Sequence, residues 1–71
     1  MQYLVVIEKG ASSFGAYVPD LPGCIATAES EGEVRQLIKE AIELHIEGLR
    51  ESGEPVPPPN SSSAVVEVGA A

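Results

Sequence analysis

One helical period, with a start motif before it and a glycine stop after it, constrains this chain more than any other feature. Ser30-Glu31-Gly32-Glu33 has the form of a capping box, in which the serine oxygen and the later glutamate satisfy free amide donors at a helix start. Gly53 is placed to end the helix in a left-handed cap, and the prolines from Pro55 onward prevent its continuation. The pattern predicts one helix over about residues 31–52.

This predicted helix is amphipathic, with apolar residues on one side and acidic residues on the other. The side expected to face a core comprises Val34, Leu37, Ile38, Ala41, Ile42, His45, Gly48 and Leu49. The opposite side comprises Glu33, Gln36, Glu40, Glu43, Glu47 and Glu51. A single helix of this kind needs a second layer to cover its apolar side, and the rest of the chain must supply it.

The residues before the helix predict three short strands, at about 2–9, 14–19 and 24–29. The first contains the β-branched run Tyr3 to Ile7, and the second closes a hairpin with it after a turn-like cluster at Gly10 to Ser13. Two prolines and a glycine within Pro19 to Gly23 force a rigid turn before the third. Because Tyr3 to Ile7 is apolar on both faces, this strand is expected to be central in the sheet.

A proline-rich linker over residues 54–63 and a fourth short strand over 64–68 are predicted after the helix. A strand that returns after a helical crossover lies naturally parallel to the first strand. The prediction is therefore one α+β domain over residues 1–71, with element order β-β-β-α-β. Its single mixed sheet has strand order 3-2-1-4, and the helix lies on one face.

A one-layer sheet with one helix leaves its second face open. If the helix covers Tyr3, Val5 and Ile7, then Leu4, Val6 and Tyr17 form an apolar patch on the open face. Such patches in small proteins usually mark contact with another chain, so we predict a homodimer or higher oligomer. The alternative is that sheet edges and loops fold over this face.

Charge and cysteine content limit the partners of the chain. Four basic and eleven acidic residues give a formal charge of -7, which repels nucleic-acid phosphates and anionic lipids and favours a basic partner. No direct nucleic-acid binding by this chain alone is expected. The single cysteine cannot form an internal disulfide, and the apolar stretch at the N-terminus is too short for a membrane span. These observations favour the cytoplasm and no membrane.

Three segments together carry a resemblance to a known family. They are Tyr3-Leu4-Val5-Val6-Ile7-Glu8, Ala16-Tyr17-Val18-Pro19-Asp20-Leu21-Pro22-Gly23-Cys24, and Glu40-Ala41-Ile42-Glu43-Leu44-His45 through Gly53-Glu54-Pro55-Val56-Pro57. Over roughly residues 1–59 the chain resembles the HicB antitoxins. The resemblance implies a partial ribonuclease-H-like domain that binds and inhibits a small, basic, RNA-cleaving HicA toxin. It also implies a second, DNA-binding domain, which these 71 residues do not match, so we expect a short form that neutralises a toxin.

Acidic side chains are the candidates for contact with such a toxin. They are Asp20 in the proline-rich turn and Glu40, Glu43, Glu47 and Glu51 on the outer side of the helix. An acidic helix can steer toward the basic groove that an RNA-binding protein needs. The alternative is that these glutamates are a solvated surface and that Asp20 caps its own turn.

Catalysis is not predicted, and neither is a metal or another cofactor. Two-metal hydrolysis needs several converging carboxylates, whereas Glu8 and Glu67 stand at strand ends without a third. Cys24 and His45 are too few for a zinc site, and each is better explained as a packed residue. The hypotheses in order are an antitoxin, a stand-alone oligomeric adaptor of the same fold, and last a small enzyme.

Overall fold

The computed structural model describes residues 1–70 and has the element order β-β-β-α. Strands β1 (Val6–Lys9), β2 (Phe14–Tyr17) and β3 (Ile25–Ala28) form one antiparallel sheet in the order β1-β2-β3. Helix α1 spans Glu31–Glu51 and packs against β2 and β3. The α+β class, the first three strands and the single helix agree with the sequence prediction.

The predicted fourth strand and mixed sheet were wrong, and the order 3-2-1-4 holds only for its first three strands. The ribonuclease-H-like arrangement, which depends on the fourth strand, is not supported. Residues 54–70 have no regular secondary structure, and Val65, Val66 and Val68 are 104%, 75% and 78% exposed. A β-prone sequence becomes a strand only when it finds an edge to pair with, and this segment does not pair. Consequently β1 is an edge strand rather than a central one.

Both predicted helix ends are confirmed. The Ser30 hydroxyl oxygen accepts a hydrogen bond from the Glu33 amide at 3.2 Å, and it also donates to the Glu33 carboxylate at 3.0 Å. After the helix, Gly53 has φ of 71°, and its amide donates to the Arg50 carbonyl. The Glu54 amide donates to the Leu49 carbonyl at 2.9 Å, so the last turn closes as a glycine-terminated cap.

The core lies between α1 and one face of the sheet. Strand pairing aligns Ile7 with Ala16 and Ala16 with Ala26, and this row faces the helix. The fully covered side chains are Leu21 of the β2–β3 turn and Val34 of the helix, both 0% exposed. The buried cluster as a whole is Ala16, Val18, Leu21, Cys24, Val34 and Ile38. Tyr3, Val5 and Ile7 pack against it, so the helix covers this face of the first strand, a choice that the sequence had left open.

The inward side of the helix differs from the prediction at three positions. Ile46 packs against the core although the periodicity had not placed it there. Leu37 is 43% exposed, and Gly48 is exposed, with nothing within 4 Å of a Cβ built on it. The helix therefore presents part of its apolar side to solvent rather than to the sheet.

Hydrogen bonds fix the rigid turn between β2 and β3. The Leu21 amide donates to the Val18 carbonyl at 3.1 Å, and the Cys24 amide donates to the Leu21 carbonyl at 3.0 Å. Gly23 has φ of 85°, a conformation that side chains disfavour. This turn directs Leu21 into the core, beneath the first turns of the helix.

Candidate functional site

The outer side of α1 is an uncompensated acidic surface. Glu40, Glu43, Glu47 and Glu51 are all exposed. Within residues 1–70 the one ion pair joins Arg35 Nε to Glu31 Oε2 at 3.3 Å, in the first turns of the helix. The like-charged pairs Glu43/Glu47 and Glu47/Glu51 stand at i,i+4 spacing and slightly oppose helix formation. These four glutamates therefore make no ion pair within residues 1–70.

Exposed apolar side chains lie beside this acidic surface, on the flank of α1 that faces β3. Leu44 is 69% exposed and Ile25 of β3 is 68% exposed. Together with Leu37 and Glu40 they line a shallow depression between the helix and β3. We call Ile25, Leu37, Glu40 and Leu44 the helix–β3 surface. Large exposed apolar groups rimmed by charge are typical of protein-binding surfaces.

The sequence had not indicated the apolar part of this surface. Leu37 was counted as a core residue, and Ile25 and Leu44 were not singled out. A usable pattern was present, because Leu37 and Leu44 are seven residues apart and therefore fall on the same flank of a helix. What the sequence could not provide was the position of β3 next to that flank.

The predicted toxin-contacting residues do not form one cluster. Glu40 belongs to the helix–β3 surface, and Glu47 and Glu51 follow it along the same side of the helix. Glu43, four residues before Glu47, lines the groove between the helix and the first strand. Asp20 is elsewhere, in the turn after β2.

Asp20 is engaged by the C-terminal segment. Its Oδ2 accepts a hydrogen bond from the Ser61 amide and its Oδ1 accepts one from the Ser61 hydroxyl, both at 2.9 Å. The Ser61 amide holds the pKa of this carboxyl below its ordinary value. Nearby, the Tyr3 hydroxyl donates to the Pro57 carbonyl. Asp20 therefore anchors Ser61, and Tyr3 anchors Pro57.

The open face of the sheet carries an apolar row. Strand pairing places Val6 opposite Tyr17, and Tyr17 opposite Ile25. Tyr17 is 41% exposed, while Val6 and Leu4 are half-buried. Val6 and Tyr17 of the predicted patch thus form a row with Ile25, which reaches the helix–β3 surface around the β3 edge. Leu4 lines a shallow depression with Ser61, Ser62 and Ser63.

The residues considered for catalysis are dispersed. Cys24 is buried in the core, and burial raises the pKa of its thiol, which keeps it protonated and unreactive at neutral pH. His45 is half-buried on the helix, and Glu8 and Glu67 are both exposed. Among residues 1–70 no group of three or more His, Cys, Asp or Glu side chains is placed to hold a metal ion. The described part of the chain contains no helix long and apolar enough to cross a membrane.

Comparison with known proteins gives a consistent family. Residues 3–69 match the family described as HicB_like antitoxin of bacterial toxin-antitoxin system. The chain is 36% identical over 67 residues to a UPF0150 protein of Thermoplasma acidophilum, covering 93% of this chain and 97% of that protein. It is 40% identical over 60 residues to a 14.9 kDa protein of Haemophilus phage HP1, but spans only 45% of that protein's length.

A solved structure agrees with these matches. A chain of the structure entitled "HicA3 and HicB3 toxin-antitoxin complex" superimposes with a TM-score of 0.71 and 33% sequence identity. The match covers 83% of this chain and 70% of that chain. Fold, sequence and family model agree over nearly the whole of the described residues, and the chain belongs to the HicB-like antitoxin family of bacterial toxin–antitoxin systems.

Proposed function

We propose that this chain is an antitoxin module that neutralises a small, basic, RNA-cleaving toxin of the HicA type by direct protein contact. The observation that carries the proposal is the helix–β3 surface, where the exposed side chains of Leu37, Leu44 and Ile25 stand beside Glu40. Membership of the HicB-like family and the likeness to a chain of a toxin–antitoxin complex support it.

The two parts of this surface supply different contributions to binding. Leu44 and Ile25 offer apolar area that is exposed to water in the free chain. Burying this area against a partner stabilises the complex. Glu40 and Glu47 attract a basic partner and accelerate its approach. The toxin would be held mainly by the apolar contacts and oriented mainly by the charges, since electrostatic complementarity affects association rate and specificity more than affinity.

The test is a binding titration of the full chain with a small basic toxin of the HicA type. Leu44→Ala is expected to raise Kd about tenfold or more, the scale of losing an exposed anchor from an interface. Glu40→Gln combined with Glu47→Gln is expected to slow association and to reduce its dependence on salt. Glu8→Gln on the open sheet face is the matched control and should leave both quantities unchanged.

The outcome that contradicts the proposal is equally specific. If the toxin binds the wild type, Leu44→Ala, the double glutamate variant and Glu8→Gln alike, the helix–β3 surface is not the contact. If it binds none of them, while every variant retains its helical circular dichroism, the chain does not act on that toxin.

A second candidate function is a stand-alone homo-oligomeric adaptor that uses the open-face patch and has no toxin partner. The row Val6, Tyr17 and Ile25 favours it, because Tyr17 and Ile25 keep large apolar groups in solvent. Sedimentation equilibrium of the chain and of Tyr17→Ser tests this function. A fall in average mass with the substitution supports it, and an unchanged mass contradicts it.

A further inference from the structure

Strand β3 is an edge of the sheet that lacks the usual protection against pairing. The sheet order ends at β3, and no strand within residues 1–70 pairs with its outer side. Proteins commonly blunt such an edge with a lysine, a proline or a bulge. The segment Ile25–Ala28 contains no charged residue and no proline, and its pairing with β2 is uninterrupted. The outer edge of β3 is therefore free to pair with a strand from another chain.

The register of the β2–β3 hairpin identifies the backbone groups that are available at this edge. The Val18 amide donates a hydrogen bond to the Cys24 carbonyl at 3.2 Å, so these two residues form a hydrogen-bonded pair. Hydrogen-bonded and non-bonded pairs alternate along an antiparallel ladder, and every second residue after Cys24 therefore bonds to β2. This alternation leaves the amides and carbonyls of Ile25 and Thr27 directed outward, away from β2.

Apolar side chains of α1 lie beside the space that an added strand would occupy. The helix packs against β2 and β3, and Leu37 and Leu44 on its β3 flank are 43% and 69% exposed. Both leucines line the depression that also includes Ile25 and Thr27. Side chains alternate along a strand, so a strand paired with β3 directs every second side chain toward this depression. Such a strand would cover the two leucines.

The charge around this edge selects a basic segment. Of the described residues that line the depression, only Glu40 is charged, and the exposed Glu29 follows β3 directly. A second copy of this chain has a formal charge of -7 and is repelled by these carboxylates. A segment that carries Lys or Arg is attracted and oriented by them.

We propose that an extended basic segment of the toxin pairs with the outer edge of β3 as an added strand. This inference rests on the proposed function, and it adds the mode of recognition. The backbone of the segment bonds to Ile25 and Thr27, and its alternate aliphatic side chains cover Leu37 and Leu44. A Lys or Arg of the segment lies beside Glu40. Backbone pairing supplies affinity in this mode, and the side chains supply specificity.

Amide hydrogen exchange of the wild-type chain, followed by NMR with and without a small basic toxin of the HicA type, is the first test. In the free chain the amides of Ile25 and Thr27 are expected to exchange fast, while those of Ala26 and Ala28 are protected by β2. In the complex, exchange at Ile25 and Thr27 is expected to slow about tenfold or more, because both amides gain a partner. A toxin that binds without slowing exchange at these two amides would overturn this inference alone. A toxin that does not bind overturns the proposed function as well.

A proline substitution tests the backbone contact separately from the side chains. Thr27→Pro removes an amide that β2 does not use, and proline is tolerated at such positions of edge strands. It is expected to raise the Kd for the toxin about tenfold, the scale of one lost hydrogen bond and an unsatisfied carbonyl. Thr27→Val keeps the amide and is the matched control, which should bind like the wild type. Equal Kd values for the two variants, at equal helical circular dichroism, would contradict strand pairing. The exchange test uses the wild-type chain and decides the question even if the proline variant does not fold.

Discussion

Two leucines of this chain differ so strongly in burial that the same substitution is expected to cost much stability at one position and almost none at the other. Leu21 is 0% exposed and lies in the turn between β2 and β3, where it reaches the core under the helix. Leu44 is 69% exposed on the helix–β3 surface. The perturbation is Leu→Ala at each position, which removes the same atoms from a closed and from an open environment.

The expected magnitudes follow from that difference. Truncating a fully buried leucine to alanine costs about 2–5 kcal/mol, which includes the cavity left behind. A domain of 71 residues has a free energy of unfolding of roughly 4–11 kcal/mol. Leu21→Ala is therefore expected to lose a large share of the total stability, whereas Leu44→Ala is expected to change it by about 0.5 kcal/mol or less.

Urea denaturation followed by circular dichroism, at one fixed protein concentration, measures both values. In thermal denaturation of a domain of this size, the lower limit of about 2 kcal/mol corresponds to a fall in Tm of roughly 8–16 °C. The reasoning is refuted if Leu21→Ala is as stable as the wild type, or if Leu44→Ala is destabilised to the same degree. The first result would mean that the turn does not anchor the core, and the second that Leu44 is covered.

Other measurements test separate parts of the structure. Cys24 is expected to react with a thiol reagent only at the rate of unfolding, because burial raises the pKa of its thiol, and fast labelling in native buffer would contradict this. The Asp20 carboxyl has a lowered pKa in the folded chain, so its anchoring of Ser61 should persist above the ordinary Asp value and be lost as pH falls through the lowered value. An NMR titration of the Ser61 amide should show that low midpoint, and Asp20→Asn should abolish the transition. Tyr3→Phe removes the hydrogen bond to Pro57 and is expected to accelerate amide exchange at Ser61 while leaving the helix protected, whereas unchanged exchange would show that this bond does not order the segment.

The parts of the fold set by local patterns could be predicted from the sequence. The helix ends were found because Ser30 and Gly53 act on their own neighbours, through a side-chain cap and a left-handed backbone. The hairpin of the first two strands followed from the turn-like cluster between them, and alternation showed which residues of the first strand share a face, although not which of the two faces the helix covers. These features need no knowledge of distant residues.

The parts that failed depend on contacts between distant residues. A double-sided apolar strand such as β1 fits a central position, but it equally fits an edge strand whose helix-facing side lines a groove and whose other side joins an open-face patch. The composition of residues 64–68 indicated a strand without indicating whether it pairs. The hydrogen bonds from Ser61 to Asp20 join residues 41 positions apart, and no local sequence pattern predicts them.

The candidate site was predicted in charge but not in shape. The glutamates of α1 were identified from the helical period, and they are exposed as expected. The apolar groups that would anchor a partner, Ile25 and Leu44, became recognisable only when β3 was placed beside the helix. An interface combines residues from separate elements, and a single sequence does not show which elements meet.

Inhibition of the toxin's RNA cleavage by the purified chain tests the central claim most directly. A small basic HicA-type toxin is incubated with RNA, and the full chain is added in increasing amounts. We expect cleavage to stop near a stoichiometric ratio of the two proteins, and Leu44→Ala to require a large excess. Undiminished cleavage in the presence of an excess of folded wild-type chain would contradict the account.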